Sequence, residues 1–245
     1  MFTGIIQATG EIISFLPGDG AGTARLTVAG PRELVGALKT GDSVAVSGVC
    51  LTALAIEADA KPARFSADLA AETIARTTLS RLAAGANVNL ELPTPAGAPL
   101  GCHVVQGHVD GVGTLTALEQ VRDFDQHSPH PSAKSAYGWG TPSSSPDRTD
   151  WTLRVRLPRG LRRYVVEKGS ITIEGISLTV AEVQGDEIRI AVLPHTYSAT
   201  NLHALHAGDS VNIEVDVLAK YAEGRARGEL SERELTVEYL LANGY

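Results

Sequence analysis

The sequence predicts an all-β protein: two tandem homologous six-stranded antiparallel barrels of Greek-key type, followed by a C-terminal α-helix. Three observations predict it. The chain repeats itself, its apolar residues alternate with period two, and glycines with short polar turns separate the alternating runs. The clearest repeat pairs SVAVSGVCLT at residues 43–52 with SITIEGISLT at residues 170–179. Ser43, Gly48, Leu51 and Thr52 recur as Ser170, Gly175, Leu178 and Thr179 at an offset of 127 residues, while Cys50 becomes Ser177.

Three more blocks recur in the same order. FTGIIQATG at 2–10 aligns with VQGHVDGVG at 105–113, which matches Gly4 to Gly107 and Gly10 to Gly113 at an offset of 103. ETIARTTL at 72–79 aligns with HTYSATNL at 195–202, and GANVNLE at 85–91 with GDSVNIE at 208–214, both at an offset of 123. Strands resemble one another because valine, threonine and glycine recur in strands and their turns. Chance likeness does not keep four blocks in order, so internal duplication is the better account. The offsets require a net insertion of 24 residues in the second copy and then a deletion of 4. A period near 100 residues is a domain length rather than a solenoid length, and a unit of that size can bury its own core. The PTPAGAP stretch at 93–99 has linker composition. The expected units are therefore a barrel over 1–97, a barrel over 98–222 and a tail over 223–245.

Period-two alternation places strands at 26–29, 43–47, 88–92 and 152–157. Short helices are expected over 31–38 and 158–165, with Pro31 and Pro158 at the first helical position. Closing each sheet removes its exposed edges. Residues 123–150 are rich in Ser, Pro and Gly and account for the 24-residue surplus; they read as a long loop between the first two strands of the second barrel. His127 and His130 lie there without the further Cys or His that a metal site needs, so no metal is expected. In the tail, Ser231 and Glu234 form a capping box, followed by Leu235, Val237, Tyr239, Leu240 and Leu241 and a stop at Asn243-Gly244. That helix has an apolar stripe and no core of its own. It either joins copies of the chain or packs back on its barrel.

Formal net charge is −7 over 245 residues, which argues against nucleic acid as a partner. The arginines at 154, 156, 159, 162 and 163 read as a solvated face. Two cysteines, Cys50 and Cys102, do not make a disulfide framework. No apolar run approaches the roughly 20 residues of a membrane span, and the N-terminus enters a strand pattern without a signal-peptide profile. A cytoplasmic protein without membrane contact is expected.

At this point a resemblance becomes specific. MFTGII at 1–6, CLT at 50–52, HVVQGHV at 103–109, GISLT at 175–179, PHT at 194–196 and NIEVDVLAKY at 212–221 resemble the riboflavin synthase family. The likeness covers nearly the whole chain apart from 123–150. It implies two barrels, a C-terminal helix joining three subunits, and a homotrimer whose working sites lie between the N-barrel of one subunit and the C-barrel of a neighbour. The implied reaction is the dismutation of two molecules of 6,7-dimethyl-8-ribityllumazine to riboflavin and 5-amino-6-ribitylamino-pyrimidinedione, without an external cofactor. Lumazine synthase is a candidate partner. The alternative is a lumazine- or flavin-binding relative of the same fold without turnover. A flavin-reductase-like barrel would need a nicotinamide domain, and no Gly-rich fingerprint follows a strand here.

The resemblance also nominates residues. Gly4, Ile5 and Ile6 match main-chain contacts to one lumazine; without it they are a plain first strand. Phe2 and Thr3 match positions that matter for activity, stacking on the pocket or shaping it. Cys50, Leu51 and Thr52 match ligand contacts in the N-barrel, as do Ser177, Leu178 and Thr179 in the C-barrel. Cys50 on its own reads as a small buried hydrophobe. Two loops would hold ribityl hydroxyls: Asp68, Leu69, Ala70, Ala71, Glu72 and Thr73 in one barrel, and Leu193, Pro194, His195, Thr196, Tyr197 and Ser198 in the other. Gly107, His108 and Val109 repeat the first segment, and Lys168 matches a residue reaching into the neighbouring subunit's site. His108 and Asp216 are the acid–base candidates, because histidine titrates near neutrality and Asp216 stands where the first repeat has Pro93. Ser43 and His103 are supporting groups. Cys102 and Ser47 depart from the family pattern.

Overall fold

The structure is a computed structural model, and it describes residues 1–18, 22–121 and 150–227. The first half carries β1 (Ala8–Pro17), β2 (Ala24–Ala29), α1 (Arg32–Ala37), β3 (Ser43–Val46), β4 (Val49–Thr52), β5 (Leu54–Glu57), β6 (Arg64–Leu69), α2 (Ala71–Arg76) and β7 (Asn87–Glu91). The second half carries β8 (Gly111–Gln120), β9 (Trp151–Arg156), β10 (Ser170–Ile173), β11 (Ile176–Gln184), β12 (Glu187–Val192), α3 (Pro194–Ala199), β13 (Ser210–Val215) and α4 (Val217–Ala226).

The second half is a closed barrel in the order β10-β11-β12-β9-β8-β13, with β13 pairing back on β10. The first half has the order β4-β3-β7-β1-β2-β6-β5. The two orders become one when β4 and β5 are read together as the counterpart of β11. The strand breaks after Thr52, and Ala55 takes a positive φ of 40°. At the equivalent place β11 stays whole but shifts register between Val180 and Glu182. A bulge bends a strand around a barrel corner; here one copy bends and the other breaks. Six strands per repeat holds for the second copy, and the first has seven segments.

Alternation fills each barrel. Ala24, Leu26 and Val28 of β2 point inward, with Arg25 outward. The first core includes Ile12, Val44, Phe65, Leu69, Leu79 and Leu90, and the second includes Leu115, Leu153, Val155, Ile171, Ile190 and Ile213. Each half thus has its own core, as the duplication requires.

The barrels meet at two equivalent hairpin tips. Ser47-Gly48 and Glu174-Gly175 all have positive φ (44°, 80°, 53° and 78°), the pattern that matches strand twist in tight hairpins. A Cβ on Gly48 would stand 2.6 Å from the Gly175 nitrogen, and the reverse holds at Gly175, so only glycine lets the two backbones touch. Buried asparagines stitch the contact across the barrels. Asn89 Nδ2 donates to the Glu174 carbonyl at 2.9 Å, and Asn212 Nδ2 donates to the Ser47 carbonyl at 2.9 Å. The Asn201 amide donates to Asn89 Oδ1, and the Thr78 amide to Asn212 Oδ1. Side-chain amides suit this place because each can donate and accept.

Three expectations need correction. The helix over 31–38 forms as α1, with Pro31 at the cap rather than in the first turn. The helix over 158–165 does not form. Gly160 has φ 90°, outside helical space, and only a 3-10 turn at Arg162–Tyr164 follows. The helix after the second barrel begins at Val217, before the expected tail, and Asp216 caps it through a bond from the Leu218 amide to Oδ1. The capping box at 231–234 and residues 122–149 lie outside the described residues. Strands β8 and β9 on either side of 122–149 pair Gln120 with Trp151, which agrees with an insertion between the first two strands. Among the described residues no helix is long and apolar enough to cross a membrane.

Candidate functional site

The two short segments that precede the barrels are exchanged. Residues 2–6 lead into the first barrel yet lie on the second. The Ser177 amide donates to the Gly4 carbonyl at 2.8 Å, and Ile6 packs against the second core. Residues 105–109 lead into the second barrel yet lie on the first. The Cys50 amide donates to the Gly107 carbonyl at 2.9 Å, and Val109 packs against the first core. Both glycines have positive φ (73° and 77°), and a Cβ on either would fall 2.7 Å from the Cβ of Ser177 or Cys50. The segments also pair with each other, with Phe2 N–H donating to the Val105 carbonyl at 2.8 Å.

The strand of each barrel that carries Cys50 or Ser177 is therefore flanked by the other repeat's leading segment. On the first barrel, Val49, Cys50, Glu72, Thr73, Arg76 and Thr77 face Gly107, His108, Val109 and Asp110 around a cavity of about 390 Å³. Such a volume lies within the range of small-molecule sites. Of the expected N-barrel residues this brings together Cys50, Glu72 and Thr73, facing Gly107, His108 and Val109, while Asp68, Leu69 and Ala70 line a separate cavity beside Arg25. Thr52 and Cys50 lie on the outer side of β4, whereas Leu51 points into the core. Leu178 likewise belongs to the second core, as does Leu69 to the first, so the side chains of these three serve packing. Asp68 is held by Arg25 through two hydrogen bonds at 2.7 and 2.9 Å, which lower its pKa from the ordinary carboxylate value. Ala70, Ala71 and Glu72 are exposed, and Glu72 pairs with Arg76 one turn on.

On the second barrel, Ser177 stands where Cys50 stands on the first. His103 Nδ1 lies 2.9 Å from Ser177 Oγ. Burial lowers the His103 pKa, and the nearby Asp216 carboxylate pulls it the other way. His103, Ser177 and Asp216 thus form a half-buried polar group, and His103 has a larger place than its sequence reading gave it. Thr179 is exposed on the outer side of β11. Leu193 to Ser198 form the start of α3, with Pro194 in the first turn. Trp151 stacks on Tyr197 at 3.7 Å between centroids and 10° between planes, bracing α3 against β9. Leu193, His195 and Ser198 are exposed, while Pro194 and Thr196 are half-buried.

Other expected residues fall elsewhere. Phe2 is fully buried against Ala45, Val105 and Cys50, which fits shaping the site and not stacking on a ligand. Ile5 and His108, equivalent across the repeat, are both exposed. Ser43 opens β3, paired with Thr52. Lys168 is exposed at the turn before β10, with φ 63°. Among the described residues no group of three or more His, Cys, Asp or Glu could hold a metal.

Glu91 and Glu214 were missed in the sequence. Each is 4% exposed or less, and each accepts main-chain N–H groups from one exchanged segment. The available signal was a carboxylate at the same repeat position in two aligned strands, NVNLE and SVNIEV.

Two barrels of one topology, each finished by the other's leading segment, define a duplicated barrel protein with two equivalent candidate sites. A family model described as Lumazine binding domain matches twice, at residues 3–93 and 106–216. The riboflavin synthase of Mycobacterium tuberculosis is 40% identical over 226 residues, spanning 91% of this chain and 96% of that protein. The riboflavin synthase of Bacillus subtilis is 32% identical over 248 residues, spanning 100% of both. Among solved structures, LumP complexed with riboflavin superimposes with a TM-score of 0.69 at 25% identity, covering 88% of this chain and 99% of LumP. LumP complexed with 6,7-dimethyl-8-(1'-D-ribityl) lumazine gives 0.68 at 24% with the same coverage. The chain belongs to the riboflavin synthase family, built from two lumazine binding domains.

Proposed function

We propose that the protein catalyses the dismutation of two 6,7-dimethyl-8-ribityllumazine molecules into riboflavin and 5-amino-6-ribitylamino-pyrimidinedione. The observation that carries this reading is the exchange of the two glycine segments, which yields two related but unequal sites. The first has Cys50 with His108; the second has Ser177 with His103 and Ile5. The reaction needs two identical substrates in different roles, one giving a four-carbon unit and one taking it. Duplication supplies the common framework for the heterocycle, and divergence supplies the asymmetry. Two lumazines balance the two products, so no oxidant or cofactor is needed.

The first step removes a proton from the acidic C7 methyl group of one lumazine. His103 is suited to hold such a proton: burial favours its neutral form, Ser177 Oγ fixes its ring, and Asp216 stabilises the charged form once it appears. His108 places a second imidazole at the first site. Orienting two bound reactants face to face contributes on the order of 7–11 kcal/mol towards the barrier. In this reading the N-barrel of one subunit faces the C-barrel of its neighbour in a homotrimer.

The likeness to LumP in complex with a lumazine and with riboflavin supports a second reading, a carrier that binds without turnover. Incubation of the purified protein with 6,7-dimethyl-8-ribityllumazine alone decides between them. Growth of riboflavin absorbance is expected; bound, unchanged lumazine would establish the carrier.

A further inference from the structure

Two buried carboxylates grip the exchanged segments. Glu91 Oε1 accepts from the Thr3 amide at 2.6 Å and from the Thr3 hydroxyl at 2.8 Å, and Oε2 accepts from the Gly4 amide at 3.1 Å. Glu214 Oε1 accepts from the Gln106 amide at 2.8 Å, and Oε2 accepts from the Gly107 and His108 amides at 3.0 and 3.1 Å. Successive N–H groups converging around a positive-φ glycine form an anion-binding concavity. Here the anion is the protein's own side chain.

We infer that Glu91 and Glu214 are a matched pair of positioning residues, each fixing the glycine segment that completes the ligand site of the other barrel. The inference rests on the proposed function for the identity of the ligand, though not for the grip itself. Each glycine is held from both sides. Its N–H goes to the carboxylate of its own barrel, and its C=O accepts from Ser177 or Cys50 of the other. A carboxylate suits the task because both of its oxygens accept, whereas an amide side chain would turn one acceptor into a donor aimed at an N–H. Burial disfavours the charge and raises both pKa values, while the N–H donors oppose the rise. An apolar residue at the same place in β7 or β13 would avoid that cost, and would release the segment.

The two grips differ in detail. On the first segment the Thr3 hydroxyl donates to Glu91 while its oxygen accepts from the Ile5 amide at 3.2 Å, so Thr3 relays the carboxylate to the next residue. On the second segment Glu214 reaches His108 directly. Beyond the gripped residues, the Ile6 and Val109 amides make no hydrogen bond among the described residues, which leaves both for a heterocycle's carbonyl.

Glu91→Gln and Glu214→Gln test the pair in the full-length protein, with riboflavin titration and amide hydrogen exchange as readouts. Glu91→Gln is expected to weaken one riboflavin equivalent per chain at least tenfold and leave the other within twofold. Glu214→Gln is expected to weaken the other equivalent. Exchange should quicken at Thr3 and Gly4 in the first variant, and at Gln106 to His108 in the second. Equal weakening of both equivalents by either variant, or unchanged exchange at the gripped amides, overturns the inference. If Glu91→Gln does not fold, Thr3→Val keeps the carboxylate and removes the relay. It should quicken exchange at Ile5 and weaken a single equivalent; no change in either refutes the grip. A parent protein that takes up no riboflavin counts against the proposed function, while the exchange measurement still decides the role of the carboxylates.

Discussion

Glu174 accepts a 2.6 Å hydrogen bond from the Asn212 amide and a 3.1 Å bond from Asn201 Nδ2, at the junction where the two barrels touch. Its counterpart in the first repeat is Ser47, so one side of the junction holds a carboxyl group and the other a hydroxyl. Burial pushes the Glu174 pKa up to about 7 against the hydrogen bonds that favour its charge. The folded pKa lies above the unfolded value of about 4.5. The carboxyl group therefore contributes stability that is complete below that value, falls as pH rises, and is gone above about 7. The slope over that window is at most about 1.4 kcal/mol per pH unit. Denaturant unfolding of the parent and of Glu174→Gln at pH 5, 6, 7 and 8 should show the parent losing stability faster as pH rises. Parallel curves would show that this carboxyl does not titrate in the window.

Gly4 and Gly107 should tolerate no side chain. Alanine at either must hold a left-handed backbone and also displace Ser177 or Cys50, whose Cβ atoms would lie 2.7 Å away. Gly41 provides the control, with φ 96° and nothing within 4 Å of its Cβ position. Gly41→Ala should cost only the backbone term, about 1–2 kcal/mol. Gly4→Ala and Gly107→Ala should cost more, and each should weaken riboflavin binding as Gly41→Ala does not. Thermal unfolding and riboflavin titration of the three variants check this.

Lys168 occupies the corner that Gly41 occupies in the first repeat. The Gly41 amide donates to the Ala53 carbonyl at 2.9 Å and the Lys168 amide to the Val180 carbonyl at 2.8 Å, so the corners are the same. Lysine there holds φ 63° where glycine would be unstrained. A strained residue kept at a surface corner is better explained by what its side chain does than by the fold. Lys168→Gly should leave stability within about 1 kcal/mol, because relieved strain offsets added freedom in the unfolded chain. Turnover should fall at least tenfold, and Lys168→Ala, which keeps the strain, should fall alike. Full activity in both would return Lys168 to the solvated surface.

The fold was legible because duplication and alternation are local signals. Gly4 with Gly107, Ser43 with Ser170 and Glu91 with Glu214 all align by counting. What counting could not supply was which barrel each segment rests on. Ile6 and Val109 read as strand entries from the residues alone and as ligand contacts by resemblance, and only the three-dimensional exchange places them on the opposite cores. The short helix over 158–165 failed for a local reason, since Gly160 turns the chain out of helical space. Leu51 and Leu178 matched ligand positions by motif, yet strand alternation turns their side chains inward. His103 was undervalued because its partners, Ser177 and Asp216, are 74 and 113 residues away in sequence.

Asp216 separates a fold role from a chemical one. Its side chain caps α4 by accepting from the Leu218 amide at 2.9 Å, and asparagine caps a helix as well as aspartate does. Asp216→Asn should therefore keep the fold, with a thermal midpoint close to that of the parent. The lost charge matters at His103, where Asp216 opposes the downward pull of burial on the imidazole pKa. Without the carboxylate that pKa drops further. If neutral His103 takes the substrate proton, the acid limb of the rate profile moves to lower pH. The maximum rate falls because the imidazolium is no longer stabilised. Turnover should drop tenfold or more while riboflavin affinity stays within about threefold. Steady-state rates from pH 5 to 9, with a parallel riboflavin titration, check both expectations. A profile of unchanged shape would remove Asp216 from the proton path and leave it as a cap.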